Sequence, residues 1–210
     1  MMYKMNSTII LSIIILIGFS SCSDTEESGF VTDDDYIGAI LMERTEKDFN
    51  MKNDSHSPFN RDPDVRFENL KYFDPDTNYI FKSKLFKFEV PDTIVIMGTR
   101  GEQRKAVKEG YVVLKFEGVD NKLNVYKSYG PHGESYYSIW FTDETSGKET
   151  YHIGRYLDFN LVQDAEHIYT IDLNSVYNPY CAYSELFTCP IPTKDDHLAF
   201  AVRAGEKNFH

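Results

Sequence analysis

Residues 79–90, YIFKSKLFKFEV, mark the point where the hydrophobic pattern of this chain changes to a period of two. The alternation is clearest at the end of the stretch, where Phe86, Phe88 and Val90 share one face and the charged residues between them take the other. Such a pattern predicts a β-strand. Comparable segments follow along the chain: DTIVIMG, GYVVLKFEG, LNVYKSY, SYYSIWFT, TYHIGRYLDF, HIYTIDLN and LAFAVRA.

Short polar separators divide these strand candidates, and each separator contains Gly, Asn, Asp or Pro. The separators lie at 91–92, 99–101, 119–121 and 143–147. No helical pattern stands between the strands, so a parallel sheet built through helical crossovers is disfavoured. We therefore predict a mainly β fold, an antiparallel meander that closes either as a β-barrel or as a two-sheet sandwich.

One N-terminal helix is predicted before the strands. Thr32 or Asp33 suits the N-cap, and the aspartates that follow suit the positive end of the helix dipole. Hydrophobic residues then recur at helical spacing, and we expect the helix to run to about Phe49. Residues 51–64, MKNDSHSPFNRDPD, predict a loop because they are rich in Asn, Asp, Ser and Pro.

The first residues predict export and lipidation. Lys4 precedes an apolar run at 8–19 that is too short to span a bilayer as a helix, and small residues then lead to Cys22. The ending FSSC resembles a bacterial lipobox, in which the cysteine acquires lipid and becomes the mature N-terminus. The alternatives are an ordinary signal peptide with a coincidental cysteine and an uncleaved membrane anchor.

These features predict the domain organisation and the location. We expect a lipoprotein signal peptide at 1–21, an acidic tether at 22–32 and a single β-rich domain at 33–210. The protein would then be anchored by lipid to a bacterial membrane in the cell envelope, facing the periplasm or exposed at the surface. The acidic run after Cys22 resembles the export signal of surface lipoproteins.

The negative charge of the chain limits the classes of partner that it can bind. The formal net charge is −11 at pH 7, so phosphate backbones and anionic headgroups are repelled. Nucleic acid is therefore not expected as a partner, and the membrane is contacted through the N-terminal lipid only. No cofactor is predicted either, because Gly98–Gly101 lacks the helix and the lysine-serine ending of a phosphate-binding loop.

A dense motif lies at 177–192, YNPYCAYSELFTCPIP, with GRYLD and IDLN upstream and LAFAVRAGEK downstream. In this order GRYLD, YNPYCAY, CPIP and AGEK resemble a bacterial family catalogued as domain of unknown function 1684. The resemblance covers most of the chain after the tether. It implies a shared fold and a shared site, but no activity, because no reaction is established for the family.

Two cysteines, Cys181 and Cys189, lie within this motif. In an exported protein two nearby cysteines predict a disulfide that closes the loop. A metal site and a redox-active pair are the alternatives. No metal is predicted, since zinc needs four ligands and the positions of the histidines relative to the two thiols are not fixed by the sequence.

Charged and amide residues within or just beyond the strand-patterned segments are the candidate ligand-binding residues: Arg155, Asp158, Asp172, Asn174, Tyr177, Asn178 and Glu206. The structural alternative is that Arg155 bridges Asp158 or Asp172 as a partly buried pair. The functional hypothesis is a polar pocket at one end of the β domain. Specifically, we predict that Arg155, Asp172, Asn178 and Glu206 form one hydrogen-bonded cluster lining a cleft beside the cysteine loop.

Two classes of function fit this sequence. The first is an envelope lipoprotein with a small-molecule-binding or purely structural β domain, and the second is a small-molecule hydrolase that uses the Asp, Glu and Arg set. Tyr177, Tyr180 and Tyr183 either form an aromatic platform for a ligand or belong to the core. Carboxylates that converge on one cleft would favour the enzyme, whereas dispersed ion pairs would favour the binding or structural protein.

Overall fold

The computed structural model describes residues 33–130 and 133–210. The predicted signal peptide, Cys22 and the acidic tether lie outside these residues. None of the helices in the described part is both long enough and apolar enough to cross a membrane.

The first helix, α1 (Asp33–Asn53), begins with three aspartates, which favour its positive end, and buries Ile40, Arg44 and Met51. The predicted helix is therefore confirmed, and it continues about one turn past Phe49. A short helix, α2 (Pro58–Arg61), interrupts the predicted loop, and its first residue is a proline, which is well tolerated at that position.

The described residues form eight strands, and the mainly β prediction is confirmed. They are β1 (Ile80–Ser83), β2 (Phe86–Met97), β3 (Gln103–Phe116), β4 (Val119–Tyr129), β5 (Ser135–Asp143), β6 (Arg155–Asp158), β7 (Tyr169–Asp172) and β8 (His197–Leu198). Strands β2-β3-β4-β5-β6 pair in this order as an antiparallel sheet, and β8 pairs in parallel with β5. Strands β1 and β7 form a separate antiparallel pair.

The main sheet is open, because β2 and β6 stand at its two ends without pairing to each other. Of the two architectures predicted, the described residues are consistent with the two-sheet sandwich and not with a closed barrel.

Several strand boundaries differ from the prediction: residues 79–90 are divided between β1 and β2, and 119–121, predicted as a separator, begin β4. β2 continues through Pro91, which had been assigned to a separator, and the register of its pairing with β3 shifts between Lys87 and Asp92. An edge strand tolerates proline at such an irregularity because no ladder hydrogen bond is lost. In LAFAVRA only Leu198 belongs to a strand, and the rest of this segment is extended without ladder pairing.

Both faces of the main sheet are covered. On one face Leu123, Ile139 and Phe141 pack against β1, β7 and the C-terminal segment that contains Val202. On the other face Tyr126, Trp140 and Tyr156 pack with Cys189, so the segment 177–192 is the second cover. The Tyr126 and Trp140 rings stack with centroids 4.5 Å apart. This burial on both faces explains why SYYSIWFT is apolar at consecutive positions.

Candidate functional site

A cleft of about 690 Å³ opens between α1, one face of the main sheet and the motif segment 177–192. Its aromatic wall consists of Tyr136, Tyr156, Tyr177, Tyr180 and Phe187. Its charged lining residues are Glu43, Glu46, Lys47, Asp54, Arg104 and Asp158. The remaining lining residues include Asn178, Pro179, Cys189 and Pro190, so the motifs GRYLD, YNPYCAY and CPIP all contribute to it.

The aromatic wall is built by local packing. Tyr156 and Tyr177 are paired through reciprocal backbone hydrogen bonds of 2.9 Å, and their rings meet edge to face with centroids 6.2 Å apart. Tyr180 and Phe187 also meet edge to face, at 5.2 Å. Their π-faces offer a surface on which planar or cationic groups can rest.

The Asp158 carboxylate lies at the exposed rim of this wall. The Tyr177 hydroxyl donates to Asp158 Oδ1 at 2.6 Å. Burial, and secondarily the negative charge of Asp158, raise the pKa of Tyr177, so its hydroxyl remains a donor at neutral pH. The pair thus presents a fixed carboxylate to the cleft.

Glu206 lies beneath the cleft, where it is 1% exposed. Its carboxylate accepts from Lys47 Nζ at 2.9 Å, and from the backbone nitrogen and the Nδ2 of Asn178 at 3.1 Å each. The Tyr183 hydroxyl donates to it as well. This network joins α1, the motif segment and the C-terminal AGEK motif, and it leaves Glu206 internally paired.

Arg155 holds the C-terminal segment from the opposite side. Its guanidinium is fully buried and donates to Asp143 Oδ2 at 2.9 Å and to the Val202 carbonyl at 2.8 Å. The carbonyls of Ala204 and Glu206 accept from the same guanidinium. Beyond Leu198 the LAFAVRA segment pairs with no neighbouring strand. The Arg155 guanidinium therefore supplies the hydrogen-bond donors that its buried backbone carbonyls need.

Glycines in GRYLD and AGEK permit this close approach. Gly154 has φ +114°, and a Cβ at this position would lie 2.4 Å from the Phe141 carbonyl oxygen. Gly205 has φ +70°, and a Cβ there would lie 2.6 Å from the Val176 carbonyl oxygen. Any larger residue would push apart the backbone segments that position Arg155 and Glu206.

Asp172 and Asn174 form a third, separate arrangement. The Asp172 Oδ1 accepts from the Asn174 backbone at 2.8 Å and caps a short 3₁₀ turn, while the Tyr36 hydroxyl donates to its Oδ2 at 2.7 Å. The Asn174 side chain bonds both the backbone nitrogen and the carbonyl of Asp76, at 2.9 and 2.8 Å. These residues fasten α1 and the 74–79 segment to the domain and do not line the cleft.

The predicted four-residue cluster is therefore corrected. Asn178 and the Glu206 carboxylate are joined by hydrogen bonds, and Arg155 reaches Glu206 only at its backbone carbonyl, whereas Asp172 belongs to a separate network. Arg155 bridges Asp143, not Asp158 or Asp172, because its side chain enters the core on the face opposite to the exposed Asp158. Of the seven candidate binding residues, the cleft is lined by Asp158, Tyr177 and Asn178.

Three residues with a role at or near the site are not distinguished by any sequence pattern: Lys47, Arg104 and Asp143. Lys47 and Glu206 are 159 positions apart, and only the docking of α1 brings them together. Arg104 donates through its Nε to Glu102 at 2.8 Å and through its Nη2 to the Thr188 carbonyl at 2.9 Å, which attaches β3 to the motif segment. Asp143 is the last residue of β5 and lies in the predicted separator 143–147. An aspartate is common in turns, so the sequence does not mark it as the partner of a buried arginine.

The cysteines are free thiols in the structure, so the expected disulfide is not formed. Cys189 Sγ accepts instead from the Cys181 backbone nitrogen at 3.4 Å. The hydrogen bond between the two thiols lowers the pKa of Cys181, and the same bond together with burial raises the pKa of Cys189. Within residues 33–130 and 133–210 no three His, Cys, Asp or Glu side chains are grouped to hold a metal ion.

The tyrosine stripe divides into two roles. Tyr183 is 2% exposed and packs on Phe59 and Phe209, with ring centroids 5.4 Å away in both cases. Tyr177 and Tyr180 line the cleft. The equal spacing of the three tyrosines therefore does not place them on one surface, because only Tyr180–Ala182 form a helical turn and the segment is not a continuous helix.

Comparisons with known proteins agree with this description. A search of the curated proteins found no match. Among solved structures, the chain is similar to the solution NMR structure of an uncharacterized protein from gene locus rrnAC0354 of Haloarcula marismortui, with 29% identity and a TM-score of 0.61. That alignment covers 83% of this chain and 95% of the other. Residues 65–207 match the family described as "Protein of unknown function (DUF1684)", and the chain belongs to this family.

Proposed function

We propose that this protein binds a small organic molecule in the cleft between α1 and the motif segment, as a lipid-anchored protein of the bacterial cell envelope. The observation that supports binding is the convergence of three separate motifs on one concave surface. Tyr156 and Asp158 come from GRYLD, Asn178 from YNPYCAY and Pro190 from CPIP. A pocket of this size with an aromatic wall and a few polar groups is typical of a ligand site.

Binding is favoured over hydrolysis because the charged groups that a hydrolase would need are already engaged. Arg155 is fully buried and bonded to Asp143 and three carbonyls, and Glu206 is bonded to Lys47, Asn178 and Tyr183. Neither presents a free atom to a substrate. The carboxylates that line the cleft belong to Glu43, Glu46, Asp54 and Asp158, and they can attract a ligand.

The binding proposal is tested by identifying what the protein retains. Full-length protein is purified in detergent, incubated with an extract of bacterial metabolites, washed and analysed by native mass spectrometry. The variant Glu46→Trp fills the cleft from the exposed side of α1, whereas Thr45→Trp adds the same bulk at an exposed position outside it. We expect a small molecule on the wild type and on Thr45→Trp, and at least about tenfold less on Glu46→Trp. Equal retention by both variants would show that the cleft is not the site.

The anchoring proposal rests on FSSC at 19–22. Cys22→Ala is expected to abolish incorporation of a labelled fatty acid and to release the protein from the membrane fraction, because the thiol is the acceptor of the lipid. Cys181→Ala is the matched control and should be labelled like the wild type. Equal labelling of the Cys22 variant would contradict lipidation at this residue.

A further inference from the structure

The charges of the cleft indicate which class of small molecule it takes. Its two lining cations are already paired: Lys47 with Glu206 at 2.9 Å, and Arg104 with Glu102 at 2.8 Å. The Thr188 hydroxyl, with Arg104, holds the pKa of Glu102 at about 2, so this partner stays ionised. Neither cation is therefore left to attract an anion.

Of the four lining acids, Asp54 lies 3.1 Å from His56 Nδ1, and the other three lack such cationic partners. Within the described residues, the Glu43 carboxylate accepts only from the Ser175 hydroxyl, at 3.3 Å, and Asp158 only from the Tyr177 hydroxyl, at 2.6 Å. Within the described part of the chain, Glu46 forms no ion pair or hydrogen bond. The potential inside the cleft is therefore negative, in addition to the negative charge of the whole protein.

The aromatic wall also favours a positively charged ligand. The faces of tyrosine and phenylalanine rings attract cations, and several rings around one space form the cage that binds alkylammonium groups. Lys47 Nζ lies 4.7 Å from the centroid of the Tyr177 ring, so this ring already contacts a cation, and the other rings of the wall are the ones left for a ligand. Asn178 lies at the floor, and its buried Oδ1 accepts no hydrogen bond from the described residues. A ligand N–H that reached the floor would complete it.

We infer that the ligand of this cleft is an organic cation, a substituted amine or quaternary ammonium compound whose alkylated nitrogen rests on the tyrosine wall. The inference rests on the proposed function, because it names the chemical class for the same site. The acidic rim provides attraction from solution, and the rings provide the contact surface. Anionic molecules of the same shape are disfavoured by the unpaired Glu43, Glu46 and Asp158.

Three probes of nearly equal shape test the inference: choline, the uncharged 3,3-dimethylbutan-1-ol and the anionic 3,3-dimethylbutanoate. Binding to the full-length protein in detergent is measured by ligand-observed NMR. We expect choline to bind at least about tenfold more tightly than the alcohol. Its affinity should fall several-fold between about 0.05 and 0.5 M salt.

Matched variants link this preference to the cleft. Glu46→Gln combined with Asp158→Asn removes two negative charges and keeps the acceptor for Tyr177, so we expect choline affinity to fall by about tenfold with an unchanged melting temperature. Glu89→Gln changes one exposed acid outside the cleft and should have no effect.

The outcomes separate this inference from the proposed function. Equal binding of choline and the alcohol, or preference for the anion, would overturn the cation assignment and leave a small-molecule cleft. Choline binding that the double variant does not weaken would also overturn it. Failure of all three probes, together with equal metabolite retention by Glu46→Trp and Thr45→Trp, would reject both.

Discussion

Arg155→Ala is expected to lower the free energy of unfolding by about 3–5 kcal/mol, the cost of breaking a buried ion pair from one side. The substitution would leave the Asp143 carboxylate without its cation, at 1% side-chain exposure. It would also leave the carbonyls of Val202, Ala204 and Glu206 without the donors that Arg155 supplies. The C-terminal segment would then lose its attachment to the main sheet, and with it the position of Glu206 beneath the cleft.

The matched control is Arg203→Ala, because Arg203 is also paired with a carboxylate. Its NH2 lies 3.0 Å from Glu149 Oε1, but the two side chains are 59% and 41% exposed. Exposed pairs of this kind contribute little to stability, so the loss should be much smaller than for Arg155→Ala. Urea unfolding of both variants at one pH gives the comparison. A similar loss for Arg155→Ala and Arg203→Ala would mean that the buried network does not hold the C-terminal segment.

A double-mutant cycle identifies the partner of Arg155. Combining Arg155→Ala with Asp143→Ala should cost less than the sum of the single losses, by about 0.5–3 kcal/mol, since the second substitution removes the stranded charge. The combination of Arg155→Ala with Asp172→Ala should be additive, because Asp172 bonds Tyr36 and Asn174 instead. Coupling to Asp172 and not to Asp143 would contradict the assignment.

The fold class was predictable because it depends on local pattern. Alternation at 79–90 and short polar separators identify antiparallel strands without any knowledge of their partners. The C-terminal segment LAFAVRA has the same alternation but is not a strand beyond Leu198, because its carbonyls are satisfied by Arg155. A local sequence pattern predicts extended backbone. It does not predict which groups will pair with the backbone N–H and C=O groups of that segment.

The site was predictable only in part, for a related reason. Asp158, Tyr177 and Asn178 belong to sequence motifs of unusual composition. Such motifs can be recognised without knowing which residues they contact in the fold. Lys47 lies on a helix more than a hundred residues away, in a segment with no unusual composition, so only packing reveals its role. Arg155 shows the converse case. A charged residue within a strand pattern predicts either a buried ion pair or a binding residue. Arg155 is buried and is a structural residue, whereas Asp158 is exposed and available to a ligand.

Alkaline unfolding is the second large effect that we expect. Tyr126, Tyr156 and Tyr183 are 0%, 8% and 2% exposed. Their hydroxyls donate to Asp196, to the Pro190 carbonyl and to Glu206 respectively. Burial is the main cause that raises the pKa of each, and the adjacent carboxylate adds to it for Tyr126 and Tyr183. All three phenols therefore keep their protons in the folded protein at a pH where an exposed phenol loses its own.

The direction of the pH effect follows from this difference. Above about pH 10 the unfolded chain has released these protons and the folded domain has not, so the free energy of unfolding falls as the pH rises. Each buried phenol contributes about 1.4 kcal/mol per pH unit, and three contribute about 4 kcal/mol per unit. A domain of ordinary stability, about 5–15 kcal/mol, should then unfold between about pH 11 and 14.

Urea unfolding followed by far-ultraviolet circular dichroism between about pH 8 and 11.5 measures this slope. Tyr126→Phe loses the hydrogen bond to Asp196 and so lowers stability at pH 8, but it also removes one titrating group. Its stability should therefore decline less steeply, by about 1.4 kcal/mol per pH unit. Tyr129→Phe, at a position that is 56% exposed, should leave the slope unchanged. A wild-type stability that stays flat up to about pH 11.5 would contradict the prediction, because buried phenols that donate to carboxylates cannot ionise in place without strong repulsion.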